Sequence, residues 1–150
     1  MNTILEETFG PIEDYVDSVP DDAQGNPKAA FGNAKAPMFG VPPIPVMEVG
    51  LVMACGGHKY GVFNYRDTEI SCSTYIEAIN RHLTKWQDGQ DYDEETGAHE
   101  LAHVAASCLL VIDAMNNGML IDDRSKTGKA GDLMIEFADR LRAFKEENPK

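Results

Sequence analysis

From Pro45 onward the apolar positions fall into blocks separated by Gly-rich or acidic turns. The first block, VMEVGLVMACGG, is almost wholly apolar and follows Pro45, whose missing N–H suits a first helical turn. One carboxylate, Glu48, interrupts it, and Gly56-Gly57 is its expected stop. A loop rich in polar and aromatic groups, HKYGVFNYRDTE, comes next. A second helix is expected from Ser73, a good N-cap, to about Asp88. On it Ile76, Ile79, Leu83 and Trp86 make one apolar stripe, while Glu77, Arg81, Thr84 and Asp88 make a different one. After the acidic turn DGQDYDEETG a third helix is expected from Thr96 to Asn116, with Gly118 just past its end. HELAHVAASCLLVIDAM is apolar around most of its circumference, which places this helix centrally. A last helix, 130–146, shows Leu133, Phe137, Leu141 and Phe144 on one side, behind a basic loop, DDRSKTGK. No strand alternation and no internal repeat is evident. The pattern predicts an all-α bundle of about four to five helices.

The stretch before these helices differs in kind. Residues 1–34 form an acidic accessory segment, with seven acids ahead of the first base, Lys28, and Pro11, Pro20, Gly25 and Pro27 as punctuation. Nothing beyond a short helix near 4–9 or 12–17 is expected there. Residues 35–45 are Pro-rich and extended, and 35–150 read as a single helical domain.

Composition narrows the function classes. At 150 residues the chain has the size of one domain, and 43% hydrophobic residues are enough for a core without staples. Its net charge of -12 argues against nucleic acid as a partner, because an acidic surface repels phosphate backbones. A free nucleotide stays open, since metal ions bridge two sets of negative groups. Cys55, Cys72 and Cys108 are odd in number and contain no CxxC, which reads as reduced thiols in a cytosol-like compartment. The opening MNTILEETFG has no signal-peptide pattern, and no run approaches the ~18 apolar residues of a membrane span. The expectation is a soluble cytoplasmic protein with no membrane partner.

The chemistry-bearing candidates sit on the two helices flanking the acidic turn. Position 77 lies about as far before the turn centre near 92 as 103 lies after it. Glu77 is therefore expected to meet Glu100 and His103 across an antiparallel pair, in a common arrangement for holding a divalent metal. Glu100, His103 and Ser107 share a face, with His99 at its border. Taken alone, Glu77 reads first as a solvated charge, and His82, beside the apolar stripe, reads as a packing histidine. Glu100 and His103 carry more weight, because they interrupt a mostly apolar helix and would be costly to bury without partners. In the loop after the first helix, Lys59, Tyr60, Asn64, Tyr65 and Arg66 suit stacking on a base and hydrogen bonding to its edge, though the loop also reads as ordinary polar surface. The acidic turn lacks the glycine and terminal glutamate of a calcium loop, and phosphate-loop and nucleophile-elbow motifs are absent.

VPPIPVMEVGLVMACGGHKYGVFNY and IEAINRHLTKWQDGQDYDEETGAHELAHVAASCLL resemble the phage dATP/dGTP diphosphohydrolase group, most specifically in KYG, RHL, the W-x-x-G turn and LAH. The resemblance covers about 35–115, with Tyr65 where Trp is usual and Ser107 where Asn is usual. That group is similar to the wider all-α, MazG-like NTP pyrophosphohydrolases, which carry EExxE and ExxD motifs for Mg²⁺ or Mn²⁺. Aligned through Gly89, Glu77, Ala78 and Arg81 fall on the EExxE positions, and Glu100 and His103 on those of ExxD. Two carboxylates of that motif pair remain, with an imidazole, an arginine and an alanine at the other positions. The resemblance implies metal-dependent hydrolysis of a purine deoxynucleoside triphosphate, dGTP foremost with GTP or dATP as lesser candidates, to monophosphate and pyrophosphate. In phages that replace adenine by 2-aminoadenine, group members supply dGMP in this way. It implies two or more Mg²⁺ or Mn²⁺ ions per site on Glu77, Glu100 and His103, with Glu48 or His99 assisting. Arg81, Lys85 and Lys59 would hold phosphates, and Tyr60 and Asn64 the base. It implies a homo-oligomer, dimer or tetramer, acting in the host cytoplasm. Two other readings stay open: a His/Asp triphosphohydrolase using His82, His99 and His103, and a non-catalytic module that binds a nucleotide or a partner.

Overall fold

The structure is a computed structural model, and it describes residues 38–149. The acidic segment 1–34, with its expected short helix, lies outside the described residues. The chain divides into two compact units, Met1–Pro43 and Ile44–Lys150. In the first, the described residues include a turn closed by the Val41 N–H to the Met38 carbonyl at 3.2 Å.

Helix α1, Pro43–Tyr60, starts with two prolines in its first turn, where their missing N–H groups cost nothing. It runs a turn beyond the expected stop at Gly56-Gly57. The actual terminator is Gly61, at φ +98°, whose N–H returns to the Gly57 carbonyl at 3.0 Å. Gly57 has a packing role instead: a Cβ there would stand 3.4 Å from the backbone of Val62. The expected loop after α1 contains a one-turn helix, α2, Asn64–Asp67, whose Tyr65 is buried.

Two very short strands, β1 (Ile70–Ser71) and β2 (Leu120–Ile121), pair in parallel with Ile70 opposite Leu120. Two residues are too few to show an alternating pattern in sequence. Helix α3, Cys72–Gln87, follows β1, with Ser71 rather than Ser73 at the N-cap position. Ser73 lies inside the first turn, and the cap comes from a distant residue: Asp123 accepts the Ser73 N–H at 2.9 Å and its hydroxyl at 2.5 Å.

Helix α4, Glu100–Asn116, begins four residues later than expected, because Thr96 is held in the turn. His99 caps it instead, its Nδ1 accepting the Leu101 N–H at 3.1 Å. His82 meets Glu100 and His103 at one end of the α3–α4 pair. At the other end, Tyr75 packs on the Tyr65–Ile70–Ala114 core together with Met53, Leu110, Met119 and Leu120. The two helices are therefore antiparallel, as the short turn requires. Arg66 clamps α2 to α4 by a two-pronged bond to Asp113, at 2.7 and 2.9 Å.

The inward face of α3 takes in only half of the predicted stripe, Ile79 and Leu83, which are half-buried. Ile76 and Trp86 are about 40% exposed, while Cys72, Tyr75, Ala78 and His82 are turned inward. Four alanines on α4 and the turn before it (Ala98, Ala102, Ala106 and Ala114) are buried. The outer face of α4 leaves Leu109, Ile112 and Met115 exposed. Helix α5, Ala130–Glu147, carries the expected stripe of Leu133, Phe137, Leu141 and Phe144, all exposed; none of its residues is buried. Apart from the two-strand ladder and one antiparallel bridge between Tyr92 and His99, the regular structure of the described residues is helical, and no helix among them is long and apolar enough to cross a membrane.

Candidate active site

The turn between α3 and α4 is organised around one carboxylate. Asp93 Oδ1 accepts the Glu95 N–H at 3.2 Å, the Thr96 N–H at 3.0 Å and lies 3.0 Å from the Thr96 hydroxyl. Its Oδ2 accepts from Lys85 Nζ at 3.1 Å. Burial opposes ionisation of Asp93, but the bonds from Thr96 and Lys85 outweigh it and hold the carboxyl far below the usual carboxylate range. The same contact with Asp93 raises the pKa of Lys85.

The first residue of α4, Glu100, is fully buried. It is buried with partners: His82 Nδ1 at 2.5 Å, Gln90 Nε2 at 2.9 Å and Lys85 Nζ at 3.3 Å. A buried carboxylate without them would cost several kcal/mol, on the order of that for an uncompensated charge. The His82 ring stacks on that of His103, centroids 4.2 Å apart and planes 12° from parallel. His103 Nε2 lies 2.8 Å from the Thr96 hydroxyl and 3.8 Å from Asp93 Oδ1. Burial, and then the neighbouring His82, push the pKa of His103 down. Among the described residues no buried side-chain polar atom lacks a hydrogen-bond partner. One group of three metal-ligand side chains also converges among them: His82, Asp93 and His103 offer ligand atoms that all lie within 4.8 Å of one another.

His103 opens onto a cavity of about 400 Å³ between α1, α3 and α4, which Tyr60, Asn64, Tyr65, Tyr75 and Arg81 also line. A second cavity, of about 430 Å³, is lined by Glu48, Tyr92 and His99 with apolar neighbours. There Glu48 Oε2 accepts the His99 N–H at 3.3 Å, and the His99 ring meets Tyr92 edge to face.

Eight of the ten expected site residues are thus sorted into three places. Glu100, His103 and Lys85 converge. Tyr60, Asn64 and Arg81 line the cavity that His103 opens onto. Glu48 and His99 come together at the second cavity. Lys59 is exposed and pairs with Glu95. Glu77 does not reach Glu100 or His103: its side chain is 75% exposed and stands 3.9 Å from Arg81. Glu77 and His82 are five residues apart, about 140° around a helix of 3.6 residues per turn. With His82 facing α4, Glu77 must face elsewhere. The sequence reading missed Gln90, Asp93 and Thr96 as site members. The signal available for Asp93 was its place among the turn acids, and the paired histidines at 82 and 103 were the signal for His82.

A protein-family model described as dATP/dGTP diphosphohydrolase, N-terminal, matches residues 25–124 of the chain. A dATP/dGTP diphosphohydrolase of Salmonella phage PMBT28 is 34% identical over 94 residues, which is 63% of this chain and 32% of that protein. The chain thus matches about a third of this relative's length. No solved structure matches it.

Proposed function

The chain belongs to the family of dATP/dGTP diphosphohydrolase N-terminal regions, and from that premise we propose that it hydrolyses a purine deoxynucleoside triphosphate, dGTP foremost, to the monophosphate and pyrophosphate. The observation that carries this reading is the 400 Å³ cavity, in which aromatic rings, an amide and a guanidinium surround His103. Tyr60 supplies a face for a purine to stack on, and the Asn64 amide pairs with a base edge. Arg81 offers a planar fork of donors to the phosphates. Behind His103, Glu100 and Lys85 hold the His82–His103 stack in place.

Mg²⁺ or Mn²⁺ is the ion of this reading, with the imidazoles of the converging set favouring Mn²⁺; when bound it would neutralise phosphate charge and make water more acidic. His103 and Glu100 are nearest to serve it. Glu77, out of reach of that set, would serve a second ion on the Arg81 side of the cavity, and Glu48 and His99 would serve one only at the second cavity. A homo-oligomer, dimer or tetramer, working in the host cytoplasm completes the reading. The apolar positions left exposed on α4 and α5 support association.

The test is a panel of common NTPs and dNTPs with Mg²⁺ or Mn²⁺, the products resolved by chromatography. dGTP is expected to be the best substrate, giving dGMP and pyrophosphate; dCTP or dUTP as best substrate overturns the reading. The convergence of His82, Asp93 and His103 favours a second reading, a His/Asp phosphohydrolase that releases the nucleoside and triphosphate. The same chromatogram separates the two. Glu77→Gln is expected to lower turnover by about a hundredfold or more, as for loss of a charge that stabilises the transition state. Its melting temperature should hold, because the side chain is 75% exposed. Unchanged turnover would remove Glu77 from the reaction.

A further inference from the structure

The histidines at 82 and 103 and the aspartate at 93 come from three separate places: the middle of α3, the first turn of α4 and the loop between them. Their ligand atoms nevertheless meet within 4.8 Å. We propose that His82, Asp93 and His103 form a mononuclear centre for a divalent first-row transition ion, of the Mn²⁺-to-Zn²⁺ class, that discriminates against Mg²⁺.

Three observations point this way. The first is the donor set. Two imidazoles and one carboxylate suit borderline transition ions, whereas Mg²⁺ demands oxygen ligands in a near-ideal octahedron. The second is the support behind the ligands. A metal-binding histidine usually gives its other ring N–H to a carboxylate, which fixes the tautomer and the ring orientation. His82 does so through Nδ1 to fully buried Glu100, which leaves Nε2 with its lone pair free. Gln90 and Lys85 in turn fix Glu100, so the ring is held from behind before any ion arrives. The third is charge. Asp93 and Glu100 face a single ammonium, Lys85, so a cation reaching the ring nitrogens meets net attraction.

Three present contacts give way on binding. The stack of the two rings opens, because an imidazole holds a metal in its ring plane and two parallel rings do not aim their lone pairs at one ion. The Thr96 hydroxyl leaves His103 Nε2, and Lys85 leaves Asp93 Oδ2. The Lys85 side chain is 42% exposed and already lies 3.3 Å from Glu100, so it keeps that partner when it lets Asp93 go. Three protein ligands leave coordination positions open, as in catalytic rather than structural sites. Because His103 lines the 400 Å³ cavity, the open side faces the nucleotide. That last link rests on the proposed function, but the centre itself does not.

The test titrates the 150-residue chain, free of nucleotide, with Co²⁺, reading the visible absorption of the bound ion. One equivalent per chain is expected, and excess Mg²⁺ should not displace it. His82→Gln, which keeps a donor for Glu100, and Asp93→Asn should each weaken binding by about tenfold or more, the range seen when a metal site loses part of its support. Glu136→Gln, on α5, controls for carboxylates at the surface and should change nothing. Asp93 also ties its turn together, so circular dichroism accompanies each variant. If a variant fails to fold, nitrogen couplings in the EPR spectrum of a Cu²⁺ adduct of the unmodified chain decide. Couplings to two imidazoles are expected; none would overturn the centre. Absence of stoichiometric Co²⁺ binding, or undiminished binding in both variants, overturns it as well. Turnover with Mg²⁺ but no Co²⁺ binding removes this centre and leaves the nucleotide reading intact. Co²⁺ binding without turnover does the reverse.

Discussion

Glu100→Gln is expected to lower turnover by about a hundredfold while the chain still folds, and Glu100→Ala to cost the fold itself about 3–5 kcal/mol. Both follow from a carboxylate with no solvent contact and three donors aimed at it, from His82, Gln90 and Lys85. The glutamine is isosteric but carries an NH₂ group on one side. That group must face one of the three donors, and a donor pointed at a donor costs about 1–3 kcal/mol when buried. Whichever way the amide turns, either His82 loses the acceptor that orients its ring or Gln90 and Lys85 lose theirs. The alanine removes every acceptor and leaves an ammonium beside an empty, buried space. For a chain of this size the alanine loss is a drop in melting temperature of roughly 10–20 °C. Thermal melts of both variants together with steady-state rates check the result. A glutamine variant with near-normal turnover would reduce Glu100 to a packing role.

The second large effect concerns the metal. Mn²⁺ is expected to support activity at least as well as Mg²⁺, because in the proposed site His103 would contribute a nitrogen where oxygen would suit Mg²⁺ better. His103→Asp should shift the preference toward Mg²⁺. His103→Ala should lower activity with both ions by on the order of a hundredfold, through loss of the ligand and of the stacking partner of His82. Activity measured against metal concentration for the three proteins is the check. Superimposed curves would make His103 a residue that only steadies the helix pair.

The helices were readable from the chain because apolar spacing and turn chemistry agreed. The acidic turn with Gly89 predicted an antiparallel pair, and α3 with α4 is that pair. Helix ends were less legible. The diglycine at 56–57 looked like a stop, yet what one of the pair, Gly57, provides is close approach of Val62, a contact no local pattern contains. Ser73 looked like a cap, but its N–H is satisfied by Asp123, fifty residues on (123 − 73). The site was half legible. Glu100 and His103 stood out because polar groups interrupted an apolar helix. His82 was hidden by the apolar stripe beside it, of which only Ile79 and Leu83 turn inward with it. Asp93 was hidden because one acid in an acidic turn looks like the others. Its distinction, three backbone and hydroxyl contacts to one oxygen, arises only when the turn closes on Thr96.

The two-residue ladder between β1 and β2 bears on the order in which the chain folds. Ile70 and Leu120 are fifty positions apart (120 − 70), and the Ile70 N–H reaches the carbonyl of Met119 at 2.9 Å. Closing a free loop of that length costs about 3–4 kcal/mol of chain entropy, with only a few hydrogen bonds in return. A ladder this short cannot nucleate against that cost. The intervening α3–turn–α4 hairpin rests on contacts closer in sequence, such as His82 with Glu100 and Lys85 with Asp93. Once the hairpin exists, its antiparallel geometry brings the start of α3 beside the end of α4, and the effective loop shrinks to a few residues. The ladder, and with it the Ser73–Asp123 cap, is then a latch that snaps shut late and opens first. The cluster at the turn end can assemble while the far end of the hairpin still frays.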